Sequence, residues 1–420
     1  MRKVLIISRC LPPLLDVGGK RAYRFAKYLP MFGWQPIVWT GEIPAGLPLD
    51  TFSVELTEGR IERTYYPKWW PQPHLTYTVA QAPIEKPGTA KRFLSSLTTI
   101  PLGRDFCLTP RAAIVLGRII EREQVDAVFA TSGPPTCLVY GWLISRLRGI
   151  PLCLDFRDPW SLNFLQRRKP LWVQAAEKRI EHFLMREAQR VVFTCQDAAV
   201  AYRELYRDLP AEKITTIANS FDPVQRVEPQ KSTGPIKLVH FGNCNGPRNL
   251  ETVIKALAMI QRQGAWPAEG IRLVNFGRVR STDVDLAATL GLAGAFEYQQ
   301  AVDTQAGLRY LAASDLQILV NYSNETLYVP AKTFDYLVAG KPILCLSRPS
   351  ELTSLVEKTG AGRVVDPGDV EGTAAVIMSA IAARNGGAPV SSLNSAEVNC
   401  YDARTTAEKL ASVLNEMVNV

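Results

Sequence analysis

A chain of 420 residues exceeds what one ordinary core organises, so two domains are expected. A composition of 47% hydrophobic and 21% charged residues reads as globular, and the lack of any run of about 20 apolar residues excludes a transmembrane helix. The net charge of +8 is uneven: residues 1–205 hold 28 Lys and Arg against 18 Asp and Glu, and the remainder holds 20 against 22. A basic first half points to an anionic partner: nucleic acid, an anionic membrane surface or a phosphorylated acceptor. The basic residues are dispersed and belong to no nucleic-acid module, so nucleic acid is the weakest of these. The eight cysteines form no C-x-x-C pair and several fall in apolar runs, which predicts reduced buried thiols in a cytoplasmic protein.

The chain opens on MRKVLIISRC, whose apolar run is too short for a signal peptide and reads as a first buried strand. Gly18 and Gly19 follow, then a helix over residues 20–30 carrying Lys20, Arg21 and Arg24. Glycines between a strand and a helix let backbone amides approach a phosphate or a sugar. Further strands are predicted at 36–40, 127–131, 151–155 and 190–194, with helices at 111–123, 136–148 and 172–189. Residues 65–103 break this rhythm with TYYPKWWPQPHLTYT and a basic stretch. They read as a long partner-facing loop in which Trp69 and Trp70 stack on sugars, meet a lipid interface or fill a satellite core.

A polar linker at 224–235 precedes a second alternation. Its strands are predicted at 236–242, 271–276, 316–320, 342–346 and 362–365. Its helices are predicted at 249–262, 304–313, 330–339, 350–358 and 370–383, and residues 403–420 read as a closing helix. Strands alternating with helices predict an α/β protein of two doubly wound, Rossmann-like domains facing each other across a cleft. The expected division is residues 1–223, joined by helix 403–420, and residues 224–402. Ligands of such sheets sit at the carboxyl ends of the strands.

The most informative stretch is YVPAKTFDYLVAGKP, residues 328–342. A turn opening a short helix that feeds a buried strand offers unpaired N–H groups and the positive end of a dipole to an anion. Lys332 and Asp335 share a helix face at i and i+3, so a cation for phosphate stands beside a carboxylate for a ribose diol. His74, His182 and His240 lack metal-ligand spacing. G-x-G-x-x-G, Walker, G-x-S-x-G and H-E-x-x-H patterns are all absent.

This stretch resembles the donor-binding motif of retaining glycosyltransferases of the GT-B fold, the family four type. In that pattern Asp335 matches the second acidic residue, which binds the nucleotide ribose. The first falls at Leu327, with Glu325 two residues away. The resemblance extends to KVLIISRCLPPLLDVGGKRAYRFAKYLPMFGWQPIVWT, to ATSGPP at 130–135, to LDFRDPW at 154–160, to KITTIANSFD at 213–222, to GAGRVV at 360–365 and to the closing helix.

The resemblance implies transfer of a sugar, of hexosyl type, from a nucleotide-sugar donor to a hydroxyl acceptor with retention. It places Gly18, Gly19, Gly242, Asn243, Arg278, Ala331, Thr333 and Asp335 at the donor. Arg157, Asp158, Arg248 and Lys332 become the catalytic candidates, with Asn243 standing where the family usually has an Arg. Lys20, Arg21, Trp69 and Trp70 fall on the acceptor side. Residues 297–300 fall near the base pocket. No metal or other cofactor is demanded. The acceptor expected is a lipid-linked or saccharide precursor of a bacterial surface polysaccharide or glycolipid, met by peripheral contact with the inner face of an anionic membrane. Two rival readings are a catalytically decayed nucleotide-binding scaffold and a nucleotide-sugar epimerase.

Overall fold

The computed structural model describes residues 1–14, 17–41, 49, 59–64, 101–102, 109–163, 166, 169–230, 233–244, 248–300, 302–321 and 327–419. The chain forms two compact units: the described parts of 1–75, 87–220 and 402–420 make the first, and those of 221–401 the second.

The first unit is built on seven parallel strands: β1 Arg2–Ile7, β2 Trp34–Gly41, β3 Arg60–Thr64, β4 Ala127–Thr131, β5 Leu152–Phe156, β6 Arg190–Phe193 and β7 Ile214–Thr216. Their order is β3-β2-β1-β4-β5-β6-β7, so the winding reverses between β1 and β4. Parallel neighbours need crossovers, and α1 Val17–Tyr28, α2 Thr109–Glu123, α3 Thr136–Arg148, α4 Leu171–Glu187 and α5 Gln196–Leu205 lie between strands. Helices on a parallel sheet bury its strands, which is why β1, β4 and β5 read as largely apolar runs. The C-terminal helix, Ala403–Val418, belongs to this unit. It buries Ala407, Leu410, Ala411 and Leu414 with α1 residues Ala22, Phe25 and Ala26, and Trp34 Nε1 donates to Asn415 Oδ1 at 3.1 Å.

The second unit has six parallel strands: β8 Ile236–Phe241, β9 Ile271–Phe276, β10 Phe296–Gln299, β11 Leu316–Val320, β12 Ile343–Leu346 and β13 Gly362–Val365. Their order is β10-β9-β8-β11-β12-β13, reversing between β8 and β11. The helices are α6 Glu251–Arg262, α7 Ser281–Thr289, α8 Thr304–Ala312, α9 Lys332–Ala339, α10 Glu351–Lys358, α11 Val370–Arg384 and α12 Ser395–Asn399. Successive side chains alternate between two cores: Leu238, Ile318 and Leu344 face one, and Val239, Leu319 and Cys345 face the other. The unit limits follow from packing and capping. Phe221 is buried in the second of these cores, and Asp402 caps the C-terminal helix by accepting from the Arg404 N–H.

The strands not anticipated are β3 (RIERT), β7 (ITT) and β10 (FEYQ). All three lie at sheet edges, where one side is unpaired and charged or polar residues are tolerated, so they carry no apolar run. Helices α5, α7 and α12 are likewise additional to the predicted set. Among the described residues no helix is long and apolar enough to cross a membrane.

Candidate functional site

In the second unit β8 and β11 pair only through Leu238 with Leu316 and Val239 with Gln317. Beyond that the strands part, and one side chain spans them. The Tyr336 hydroxyl, fully buried, accepts from the Phe241 N–H at 2.8 Å and donates to the Ile318 carbonyl at 3.1 Å. Gln317 Nε2 donates to the Tyr336 and Lys341 carbonyls at 3.1 and 2.7 Å. Helix α9 is thereby pinned at the point where the winding reverses, which is where open α/β sheets bind ligands. Its far end is set by Gly340 at φ +67, a left-handed position suited to glycine, followed by Pro342. Tyr336→Phe should cost about 1–3 kcal/mol, because it strands a buried N–H and carbonyl; chemical denaturation measures it.

At the start of α9 the side chain of Ala331 offers no cap. The Thr333 and Phe334 N–H groups bond to the Pro330 and Ala331 carbonyls at 2.9 and 3.2 Å. Two of the helix's leading donors are thus already used, and the main attraction for an anion here is the partly buried Lys332 side chain. Its amine lies 2.7 Å from His240 Nε2. Gly242 makes room for it: its φ is +132, and a Cβ there would stand 3.3 Å from Lys332 Nζ. Arg248 donates to the Tyr328 hydroxyl at 3.2 Å, and its charge together with burial holds the Lys332 amine well below the usual lysine range. Asp335 lies in the first turn of α9, partly exposed.

The other second-unit candidates knit the neighbouring loops together. Asn243 Oδ1 accepts from the Arg278 N–H at 3.0 Å, and the Cys244 N–H donates to the Arg278 carbonyl at 2.8 Å. Asn243 thus joins the loops after β8 and β9 where the family pattern has a cation. Thr333 is fully buried, and its hydroxyl has no hydrogen-bond partner among the described residues. His240, fully buried, adjoins Lys332, and Asn275, also fully buried, holds His240; neither lies in the motif stretch. Their signal was a polar side chain next to last in each strand, IKLVHF and IRLVNF.

In the first unit the LDFRDPW stretch divides into framework and rim. Asp155, fully buried, binds Arg21 through two contacts, Nε to Oδ2 at 3.0 Å and Nη2 to Oδ1 at 2.8 Å, and accepts from Thr131 Oγ1 at 2.7 Å. Arg21 Nη1 donates to the Ala218 carbonyl at 2.9 Å. Arg21 was expected on the acceptor side; with all three guanidinium nitrogens engaged and its side chain buried, it is an internal clamp instead. Trp160 is anchored by its N–H to the Tyr202 hydroxyl at 2.8 Å and by Nε1 to Glu177 Oε2 at 3.1 Å. Glu177 also holds Lys169 at 2.6 Å.

Arg157 and Asp158 form the rim, more exposed and paired with each other, both Arg157 Nε and Nη2 lying 3.0 Å from Asp158 Oδ2. Gly133, at φ +110, leaves space for the guanidinium, since a Cβ there would meet Arg157 Nη2 at 2.9 Å. Gly19 is a close-packing position, where a Cβ would meet Leu11 Cα at 2.9 Å. Gly18 and Lys20 are partly exposed at the start of α1. Trp69, Trp70 and Glu325 lie outside the described residues.

These observations, a reversal point in each sheet and a cation-bearing helix at one of them, prompt comparison with known proteins. Residues 18–220 match the glycosyl transferase 4-like domain. No curated protein matches the sequence. Among solved structures, sucrose-phosphate synthase from Thermosynechococcus elongatus is 15% identical, covers 100% of both chains and superposes with a TM-score of 0.69. A glycosyltransferase from Rickettsia africae is 14% identical over 99% of this chain and 98% of its own, with a TM-score of 0.65. HepE of Anabaena, solved in complex with UDP, is 16% identical over 99% of this chain and 100% of its own, with a TM-score of 0.62. The fold is GT-B, and the domain match together with that fold supports a glycosyltransferase.

Proposed function

We propose that the protein transfers a sugar, of hexosyl type, from a nucleotide-sugar donor to a hydroxyl acceptor with retention, the donor binding at the carboxyl ends of β8 and β11. One observation carries the reading. Lys332 stands at the head of a helix pinned to the reversal point, with no carboxylate partner among the described residues, and Asp335 lies one turn further along. A diphosphate would take the first and a ribose diol the second. That HepE, which shares the fold, was solved in complex with UDP supports a nucleotide donor.

The chemistry would rest on stabilising a departing diphosphate and orienting two substrates. Lys332 and Arg248 offset the leaving charge without a metal, and the departing phosphate oxygen takes the acceptor proton. The basic first half of the chain suits an anionic, lipid-linked or saccharide acceptor, with peripheral attachment to an anionic bilayer at the inner face of a bacterial membrane. A role in surface polysaccharide or glycolipid synthesis follows from that acceptor.

Calorimetric titration of UDP, GDP, ADP and dTDP into the wild type and Asp335→Ala tests the donor site. Loss of two ribose hydrogen bonds should weaken the preferred nucleotide by about 1.5–3 kcal/mol, roughly 10- to 100-fold. Undiminished binding by Asp335→Ala would move the donor site elsewhere. The binding-only reading draws on Asn243, which occupies the place of a family cation and is engaged by a backbone N–H. It predicts nucleotide binding without turnover of any nucleotide-sugar.

A further inference from the structure

The side chains beside Lys332 form a chain whose protonation can be read from its hydrogen bonds. Asn275 Nδ2 donates to the Gly277 carbonyl at 2.8 Å, so the other end of that amide, Oδ1, is an acceptor. His240 Nδ1 lies 2.5 Å from Asn275 Oδ1 and must therefore carry the proton. Its Nε2 is then a lone pair, and the Lys332 amine 2.7 Å away is the donor to it. Burial pushes the His240 imidazolium well below the usual histidine range, consistent with a neutral ring.

Among the described residues no carboxylate lies within ion-pair distance of the Lys332 amine. The titratable groups facing Lys332 are His240, Arg248, Cys244 and Cys345. Arg248 repels it, and burial pushes both thiols up to about 12, leaving them neutral. The start of α9 adds the positive end of a helix dipole. Among the described residues the amine has a neutral imidazole against it and the Arg248 charge nearby, with the Asp335 carboxylate one turn further along α9.

We propose that Lys332, held by the Asn275–His240 pair, takes up a proton when a diphosphate binds, so that its full charge appears only with the anion present. The inference rests on the reading that the second unit binds the donor diphosphate. The proton comes from solvent, moves onto Lys332 Nζ, and leaves His240 neutral with its Nδ1 proton in place. The ligand-free site would thereby avoid an uncompensated charge, and anion affinity would fall as pH rises.

The test is titration of UDP into the protein by calorimetry at pH 8, in buffers of differing ionisation enthalpy. Phosphate oxygens with a second pKa of about 6 are already ionised there, so the probe does not itself take a proton. The slope of observed enthalpy against buffer enthalpy should give uptake of between about 0.3 and 1 proton per UDP. Lys332→Met should abolish the uptake and weaken UDP roughly 10- to 100-fold. His240→Gln, which retains an acceptor but cannot titrate, should keep the uptake. UDP binding that depends on Lys332 but takes up no proton would overturn this inference and leave the donor site standing. Uptake that persists in Lys332→Met, or disappears in His240→Gln, would overturn it as well. UDP binding unchanged by Lys332→Met, or no binding of either UDP or inorganic pyrophosphate, would overturn both the inference and the placement of the donor.

Discussion

Asp155→Ala is expected to destabilise the first unit by about 3–5 kcal/mol, because it leaves the Arg21 guanidinium buried without its anion. Arg21 and Asp155 meet through two nitrogens and two oxygens, and neither side chain is more than 4% exposed. Removing one partner forfeits the attraction while the cost of burying the other remains. Thr131 Oγ1 also loses its acceptor. Replacing both partners, as in Arg21→Met with Asp155→Leu, should recover most of the loss, since apolar groups need no compensation there. Urea denaturation of Asp155→Ala and of the double variant, followed by a signal from the first unit, compares the two losses directly. Equal losses in the single and double variants would show that the pair is not what holds this part of the sheet. Nucleotide binding by folded Asp155→Ala should match the wild type, because Lys332 and Asp335 lie on the second unit.

Glu181→Gln is expected to gain stability over the wild type as pH rises, by about 3 kcal/mol between pH 4.5 and 8. Glu181 is fully buried, and its carboxylate accepts from the Ser161 N–H at 2.6 Å and Oγ at 3.0 Å. No ion pair reaches it among the described residues. Burial outweighs those hydrogen bonds and pushes its pKa up to about 7 from 4.5. The folded state therefore binds more protons than the unfolded chain between those values. Stability contributed by the protonated acid is complete below pH 4.5 and is lost as pH climbs through about 7. Glutamine offers an acceptor for the Ser161 N–H and does not ionise, so it escapes that loss. Denaturation midpoints of the two proteins at pH 4.5, 6 and 8 decide the matter. Parallel pH profiles would mean that the carboxylate ionises without cost.

The architecture was legible where burial leaves no choice. Strands covered on both faces are mostly apolar, so β1, β4, β5 and β11 announce themselves. The turn at Gly340-Lys341-Pro342 was equally plain, since a left-handed glycine and a proline both stop a helix. Edge strands β3, β7 and β10 were hidden because half of each needs no apolar neighbour. At the candidate site Lys332 and Asp335 could be named from spacing alone, for they share one short helix. Residues gathered from distant segments could not. Arg21 and Asp155 are 134 positions apart, and His240 and Lys332 are 92 apart.

The sequence by itself thus determined the parallel α/β class, the division into two units and the helix that carries the candidate anion site. Local periodicity and turn chemistry are sufficient for those. Only the tertiary structure decided which charged groups are engaged. It committed Arg21 to Asp155, tied Asn243 to the Arg278 backbone, and set Lys332 against a neutral His240. The physical reason is that burying a charge is costly unless a partner is supplied, and that partner comes from whichever strand the fold brings alongside.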